Sequence, residues 1–193
     1  MRLGILIILA AAGALFAAKL VYVIAVAMTV GTTKGALYVS TSHRRIQAAL
    51  DVLPLETGQV LMDLGCGDGR ALRAARKRCA LRAIGYEINP LAYCRAKICC
   101  ATRGIEIRYG NFWNEAIQAA DIVFCYLFPD AMADLEAKIK EEAKPGALVV
   151  SFNFPLPGLP PLRVLRPDGP RQSDPIYIYR IASVVPKDEG CDK

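Results

Sequence analysis

The pattern of apolar and polar positions changes character twice along the chain. Residues 3–30 are almost continuously apolar: LGILIILAAAGALFAA carries no charge, Lys19 interrupts, and LVYVIAVAMTV runs on to Val30. About 20 apolar residues in a helix span the ~30 Å hydrocarbon layer, so this stretch predicts a transmembrane helix. A cleaved signal peptide is the first alternative, although its h-region would run only about 7–15 residues. A buried helix of a soluble protein is the second, at odds with a surface that has no polar side. GTTKGALYVSTSHRR then reads as a linker, and IQAALDVL as a short amphipathic segment.

From residue 59 strands and helices alternate. QVLMDL, ALRAIGYE, IEIRY, DIVFCYL and ALVVSFNF read as five strands. GRALRAARKRC, NPLAYCRAKICCATRG and PDAMADLEAKIKEEA read as helices. In the second helix Leu91, Cys94, Ile98 and Ala101 share an apolar face, with Gly104 as terminator. Pro129 opens the third, Met132, Leu135 and Ile139 form its stripe, and Glu136 and Lys140 stand at i,i+4. FPLPGLPPL has no helical period and reads as a loop; LRVLR and PIYIYRIASVV form a hairpin about PDGPRQSD. Such alternation predicts parallel βαβ units in a doubly wound, mostly parallel α/β sheet of seven strands, closed by an antiparallel hairpin. The expected organisation is an anchor over residues 1–33, a linker and amphipathic segment over 34–58, the α/β domain over 59–185, and a polar tail over 186–193.

Composition refines this picture. The mean hydropathy of +0.30 is high for a soluble protein, and residues 3–30 supply the excess. Of the net charge of +6, Arg2, Lys19 and Lys34 contribute three, so the rest is mildly basic and nucleic acid is not an expected partner. Only Arg2 precedes the apolar stretch, whereas Lys34, Arg44 and Arg45 follow it with no acid before Asp51. The positive-inside bias then puts the C-terminal domain in the cytoplasm. RALRAARKRCALR has six basic residues and no acid; its Arg70, Arg73 and Lys77 face is either solvated or held against anionic lipid. The seven cysteines form no C-x-x-C pair and there is one histidine, His43, so no metal site is expected. The odd cysteine count fits a reducing compartment.

The candidate chemistry lies in VLMDLGCGDGR. Asp63, Gly65, Gly67 and Gly69 alternate as D-x-G-x-G-x-G. A dinucleotide fingerprint would need Gly or Ala where Arg70 stands, and a phosphate-binding P-loop would need a lysine that is missing. The pattern resembles motif I of class I S-adenosylmethionine (SAM) dependent methyltransferases, whose fold is a Rossmann-like sheet. The resemblance continues in order: Glu87 ends IGYEINP, Asn111 and Phe112 follow the third strand in YGNFW, and DIVFCYLFP looks like motif IV. It implies that Asp63 receives the methionyl ammonium, that Glu87 accepts the ribose hydroxyls, and that Asn111 and Phe112 hold the adenine. Gly65, Cys66, Gly67 and Gly69 would form the close backbone approach.

YVSTSHRRIQAALDVL, KPGALVVSFNF and PLPGLPPLRV narrow the resemblance to the membrane-anchored lysine N-methyltransferases of the ATP synthase c-subunit and adenine nucleotide translocator type. Ser40, Cys66 and Asn111 stand where that family usually has Pro, Ser and Asp. The implied acceptor is a lysine of a membrane protein. Tyr126 would aim the amine and Tyr38 would cap the site, unless both tyrosines simply pack. A lipid or small-molecule methyltransferase and a non-catalytic SAM-binding module are the competing readings.

Overall fold

The computed structural model describes residues 2–30, 41–167 and 174–182. The chain divides into two compact units, Met1–Leu37 and Tyr38–Lys193. The first holds α1 (Arg2–Val30), exposed at every side chain from residue 4 to 24. Its Gly4–Ile24 segment of 21 residues is, among the described residues, the helix long and apolar enough to cross a membrane. At about 1.5 Å per residue it spans roughly 32 Å.

The second unit is built on seven strands: β1 (Val60–Leu64), β2 (Arg82–Glu87), β3 (Ile105–Tyr109), β4 (Ile122–Cys125), β5 (Leu148–Phe152), β6 (Arg163–Leu165) and β7 (Ile176–Arg180). Their order is β3-β2-β1-β4-β5-β7-β6. The first five are parallel, and β7 runs antiparallel to both β5 and β6. The seven-stranded, mostly parallel sheet with a closing antiparallel pair is as the sequence pattern predicts. Its central strands are apolar runs because helices cover both of their faces.

The helices are α2 (His43–Val52), α3 (Arg70–Arg78), α4 (Pro90–Cys100) and α5 (Met132–Glu142). Ile46 and Leu50 of α2, Leu72 and Ala75 of α3, and Ala96 and Cys100 of α4 share one core with Leu61, Phe124 and Val150 of the sheet. Met132, Leu135 and Ile139 of α5 join Met62, Val123 and Val149 in a second core. Caps set the helix starts. Ser42 Oγ accepts from the Arg45 N–H at 3.4 Å, and Asn89 Oδ1 from the Leu91 and Ala92 N–H groups at 3.0 and 3.1 Å. A cap of this kind is worth about 1 kcal/mol. The Glu136–Lys140 pair closes at 2.5 Å, and Pro129–Ala131 form a single 3-10 turn ahead of α5.

Two expectations are corrected. The face of α4 that enters the core is Ala92, Ala96 and Cys100, not the stripe of larger residues. Leu91 is 59% and Ile98 79% exposed, and Cys94 and Ala101 also face out. The helix packs closely over β3 and β2, where a cysteine and two alanines fit and a leucine or isoleucine would hold it off. The second correction concerns the basic residues. Arg45 is buried, and Arg70 and Arg73 turn toward Asp68 instead of presenting a free cationic face.

Candidate active site

The carboxyl ends of β1 to β4 lie level with one another: Leu64 is in register with Tyr86 and Cys125, and Glu87 with Tyr109. The turns that follow therefore gather at one edge of the sheet. An open cleft there is lined by Thr41, Asp63, Cys66, Gly67, Asp68 and Tyr126, among others.

The loop after β1 is fastened across the end of β2. The Gly65 and Cys66 N–H groups both donate to the Tyr86 carbonyl, at 3.0 and 2.9 Å, and Gly67 N–H donates to Glu87 Oε2 at 2.8 Å. Gly65, Gly67 and Gly69 all take positive φ. At Gly69 (φ +72°) a Cβ would also lie 2.6 Å from Cys100 Sγ, so both the backbone and the packing require glycine. The Cys66 side chain turns away from the loop into the core beside Gly85. Burial pushes its thiol up, so it stays neutral and acts as a small apolar group.

Asp63, next to last in β1, lines the cleft and is 7% exposed. Burial, reinforced by the negative charges of Glu87 and Asp68, raises its carboxyl to about 7. A carboxylate held this way gains most from a cation brought in by a ligand. Asp68 is treated oppositely. Burial acts to raise it, but the Arg70 hydrogen bonds and the charges of Arg70 and Arg73 outweigh burial and hold it low. Arg70 contributes Nε and Nη2 at 3.0 Å each, and Arg95 Nε stands 3.9 Å away. Arg70 Nη1 also donates to the Thr41 carbonyl at 3.2 Å, which ties the segment ahead of α2 to the loop.

Glu87 is buried, and its two oxygens accept from the Gly67 and Asn89 N–H groups at 2.8 Å each. Burial raises its carboxyl, against the lowering effect of those N–H groups. Lone pairs remain on both oxygens for hydroxyl donors. Asn111 Oδ1 caps the 3-10 turn of Phe112–Asn114 by accepting from Trp113 N–H at 3.2 Å. The Phe112 ring packs 4.6 Å from that of Trp113. Glu87, Asn111 and Phe112 stand at successive strand ends beside the cleft and are not part of its lining.

Tyr126 follows β4 and does line the cleft. Its hydroxyl accepts from Asn153 Nδ2 at 2.7 Å, and Asn153 is held at φ +71°. Asn153 Oδ1 in turn accepts from buried Arg45, whose guanidinium lies 5.8 Å from the Tyr126 ring centroid and 5.6 Å from that of Phe152. Arg45 also reaches the Pro175 carbonyl at 3.4 Å and Asp174 at 3.9 Å, while its buried Nε has no hydrogen-bond partner among the described residues. Sequence reasoning missed Arg45, Asp68 and Asn153. For Asp68 a signal existed, an acid in the loop with arginines two and five residues on. Arg45 and Asn153 are 108 residues apart and carry none. Tyr38 lies outside the described residues. Among the described residues no cluster of metal-ligating side chains occurs.

The arrangement fits SAM: a buried carboxylate suited to an ammonium, a loop with three glycines for close approach, and a second acid with free lone pairs. Residues 63–163 match the ANTKMT methyltransferase domain. A protein-lysine N-methyltransferase of Saccharolobus islandicus is 30% identical over 75% of this chain and 92% of its own length. The adenine nucleotide translocase lysine N-methyltransferase of Mus musculus is 32% identical over 80% of this chain and 67% of its own. The crystal structure of an RNA methyltransferase from Salinibacter ruber, in complex with S-adenosyl-L-homocysteine, superposes with a TM-score of 0.70 at 29% identity, covering 80% of this chain and all of that one. The chain belongs to the ANTKMT methyltransferase family and is a SAM-dependent methyltransferase.

Proposed function

We propose that this chain is a membrane-anchored methyltransferase that modifies a lysine side chain of a membrane protein, with its catalytic domain in the cytoplasm. The observation that carries the reading is the joining of a 21-residue apolar helix to a domain whose relatives are named for lysine methylation, one of them for the adenine nucleotide translocase. Arg2 on one side of the helix, against Lys34 and Arg44 on the other, supports a cytoplasmic domain. No nucleic acid partner is part of this reading.

Within the site, Asp63 receives the methionyl ammonium and Glu87 the ribose hydroxyls. Asn111 presents its amide to the adenine edge, Phe112 lines the ring, and the backbone of Gly65, Cys66, Gly67 and Gly69 closes on the ligand. When bound, SAM supplies a methyl group activated by its sulfonium. The chain's task is to present a neutral amine in line with it, which is mainly positioning. Tyr126, fixed by Asn153, supplies a hydroxyl oxygen with a set direction. The permanent charge of Arg45 behind the Tyr126 ring disfavours a protonated lysine beside it. Tyr38 belongs to the segment that leads into Thr41 at the cleft, which supports a capping role.

The experiment compares the full chain with a form lacking residues 1–33. The truncated form is expected to bind SAM normally and to methylate its membrane target much more slowly in cells, because the tether's local concentration is lost. Equal rates would remove the anchor from substrate choice. Labelled methyl recovered in lipid or RNA instead of in lysine would overturn the acceptor.

A further inference from the structure

Helix α4 is built inside out. Its inward residues are the small Ala92, Ala96 and Cys100, while Leu91 (59% exposed) and Ile98 (79% exposed) point outward with Cys94 and Ala101 between and beyond them. At the strand end beside it the Tyr109 side chain is 57% exposed, its ring 5.2 Å from that of Tyr93 on the helix. A solvated helix leaves single apolar residues outside, but a stripe at i, i+3, i+7 and i+10 is a continuous apolar surface.

The charges that the segment itself carries beside the stripe are of one sign. Residues 88–105 contain Arg95, Lys97 and Arg103 and no acid. All three are exposed. Arg103 is braced along the helix by donating to the Cys99 carbonyl at 2.7 Å. An apolar ridge with tyrosines at one end and a cationic margin is the composition of a helix that lies in the boundary between headgroups and acyl chains. Anionic lipid is complementary to the margin, and acyl chains are complementary to Leu91 and Ile98.

We infer that the outward face of α4 rests on an anionic bilayer surface and orients the methyltransferase domain there. This rests on the reading of α1 as a membrane anchor, which brings the bilayer within reach. The Arg70–Arg73 face is less available: Asp68 engages both residues and their side chains are only 34% and 22% exposed, whereas Arg95, also 3.9 Å from Asp68, is 65% exposed. The position of α4 also has a use. Leu91 is four residues beyond Glu87, so one end of the docked face lies close in the chain to the strand end that carries Glu87. A lysine emerging at the headgroup level would then meet the site without leaving the membrane surface.

The test is made on the full chain reconstituted in vesicles of mixed phosphatidylcholine and phosphatidylglycerol. Ile98→Trp adds a fluorophore at a position too exposed to disturb packing, read against the parent chain with its one Trp113. The added emission should shift to the blue and be roughly halved by lipids brominated at the depth of about 5–10 Å that interfacial helices reach. Lys97→Gln in the same background should lower the docked-to-free ratio about five-fold, and replacing phosphatidylglycerol by phosphatidylcholine should act in the same direction. Vesicles that retain the chain through carbonate extraction while the added emission stays unquenched would overturn the docking face and leave the anchor standing. Release of the chain from the vesicles by carbonate would overturn both. A blue shift that appears in detergent and grows with protein concentration would assign the face to a second copy of the chain and overturn the bilayer as its occupant.

Discussion

The carboxyl of Asp63 sits at about 7 instead of 3.8, and this sets a measurable link between pH, SAM affinity and stability. If Asp63 receives an ammonium, SAM binds its ionised form. Below pH 7 a proton must leave first, so affinity should fall about ten-fold per pH unit, roughly fifty-fold between pH 7 and pH 5. Calorimetry near pH 5.5 in two buffers of different protonation enthalpy should find about one proton released per SAM bound. Asp63→Asn should bind weakly and lose this slope. Stability runs the other way. The folded-state value is raised, so the burial penalty is complete above pH 7 and is relieved as pH falls from 7 toward 3.8, where only the folded state holds the proton. About three units at 1.36 kcal/mol each make the penalty about 4 kcal/mol. Denaturant unfolding of the unliganded full chain in detergent should therefore find Asp63→Asn more stable at pH 8, by up to about 4 kcal/mol, with the gain vanishing near pH 4. An Asp63→Asn chain that is less stable at pH 8, or a SAM affinity flat from pH 7 to 5, would refute the reasoning.

Glu87→Ala should both weaken SAM binding, by about 2–4 kcal/mol, and destabilise the unliganded fold, because the Gly67 and Asn89 N–H groups lose their acceptor. Glu87→Gln keeps one acceptor oxygen and should fall between parent and alanine in calorimetry and thermal melts; equal SAM affinity in all three would remove Glu87 from the ribose. Asn153→Ala frees the Tyr126 hydroxyl and one partner of Arg45. It should slow methyl transfer about ten- to hundred-fold through lost positioning with SAM affinity unchanged, measured as labelled methyl incorporated into a membrane extract.

Buried parallel strands are legible in a sequence because they are short apolar runs stopped by an acid or a glycine, as VLMDLG and IGYE are. The same reading locates Asp63, Glu87 and Tyr126, since each stands at a strand end. The orientation of α4 was not legible. Both of its faces are apolar, and periodicity finds a stripe without saying which of two stripes faces inward; the closeness of helix to sheet decides that. The inward turn of Arg70 and Arg73 depends on Asp68, whose buried charge is a tertiary fact. Asn111 was legible as a residue just past the third strand, but its side-chain oxygen caps the next turn, a use that only the backbone path reveals. Arg45 read as a flanking charge because nothing near it in sequence marks a buried ion. Its partners at Asn153 and Pro175 come more than a hundred residues later.

The place of β7 between β5 and β6 has a consequence for the order of synthesis. On the ribosome α1 is made before any strand exists. The strands β1 to β5 can then associate in sequence, each beside a strand already made. β6 has no neighbour until β7 arrives, and the outer edge of β5 stays open for the same interval. An open edge of Leu148–Phe152 is a template for pairing with another nascent chain. Chains stopped before residue 176 should therefore collect as aggregates. The interior of Arg45 is sealed in the same step, since Pro175 enters beside it as β7 slots in.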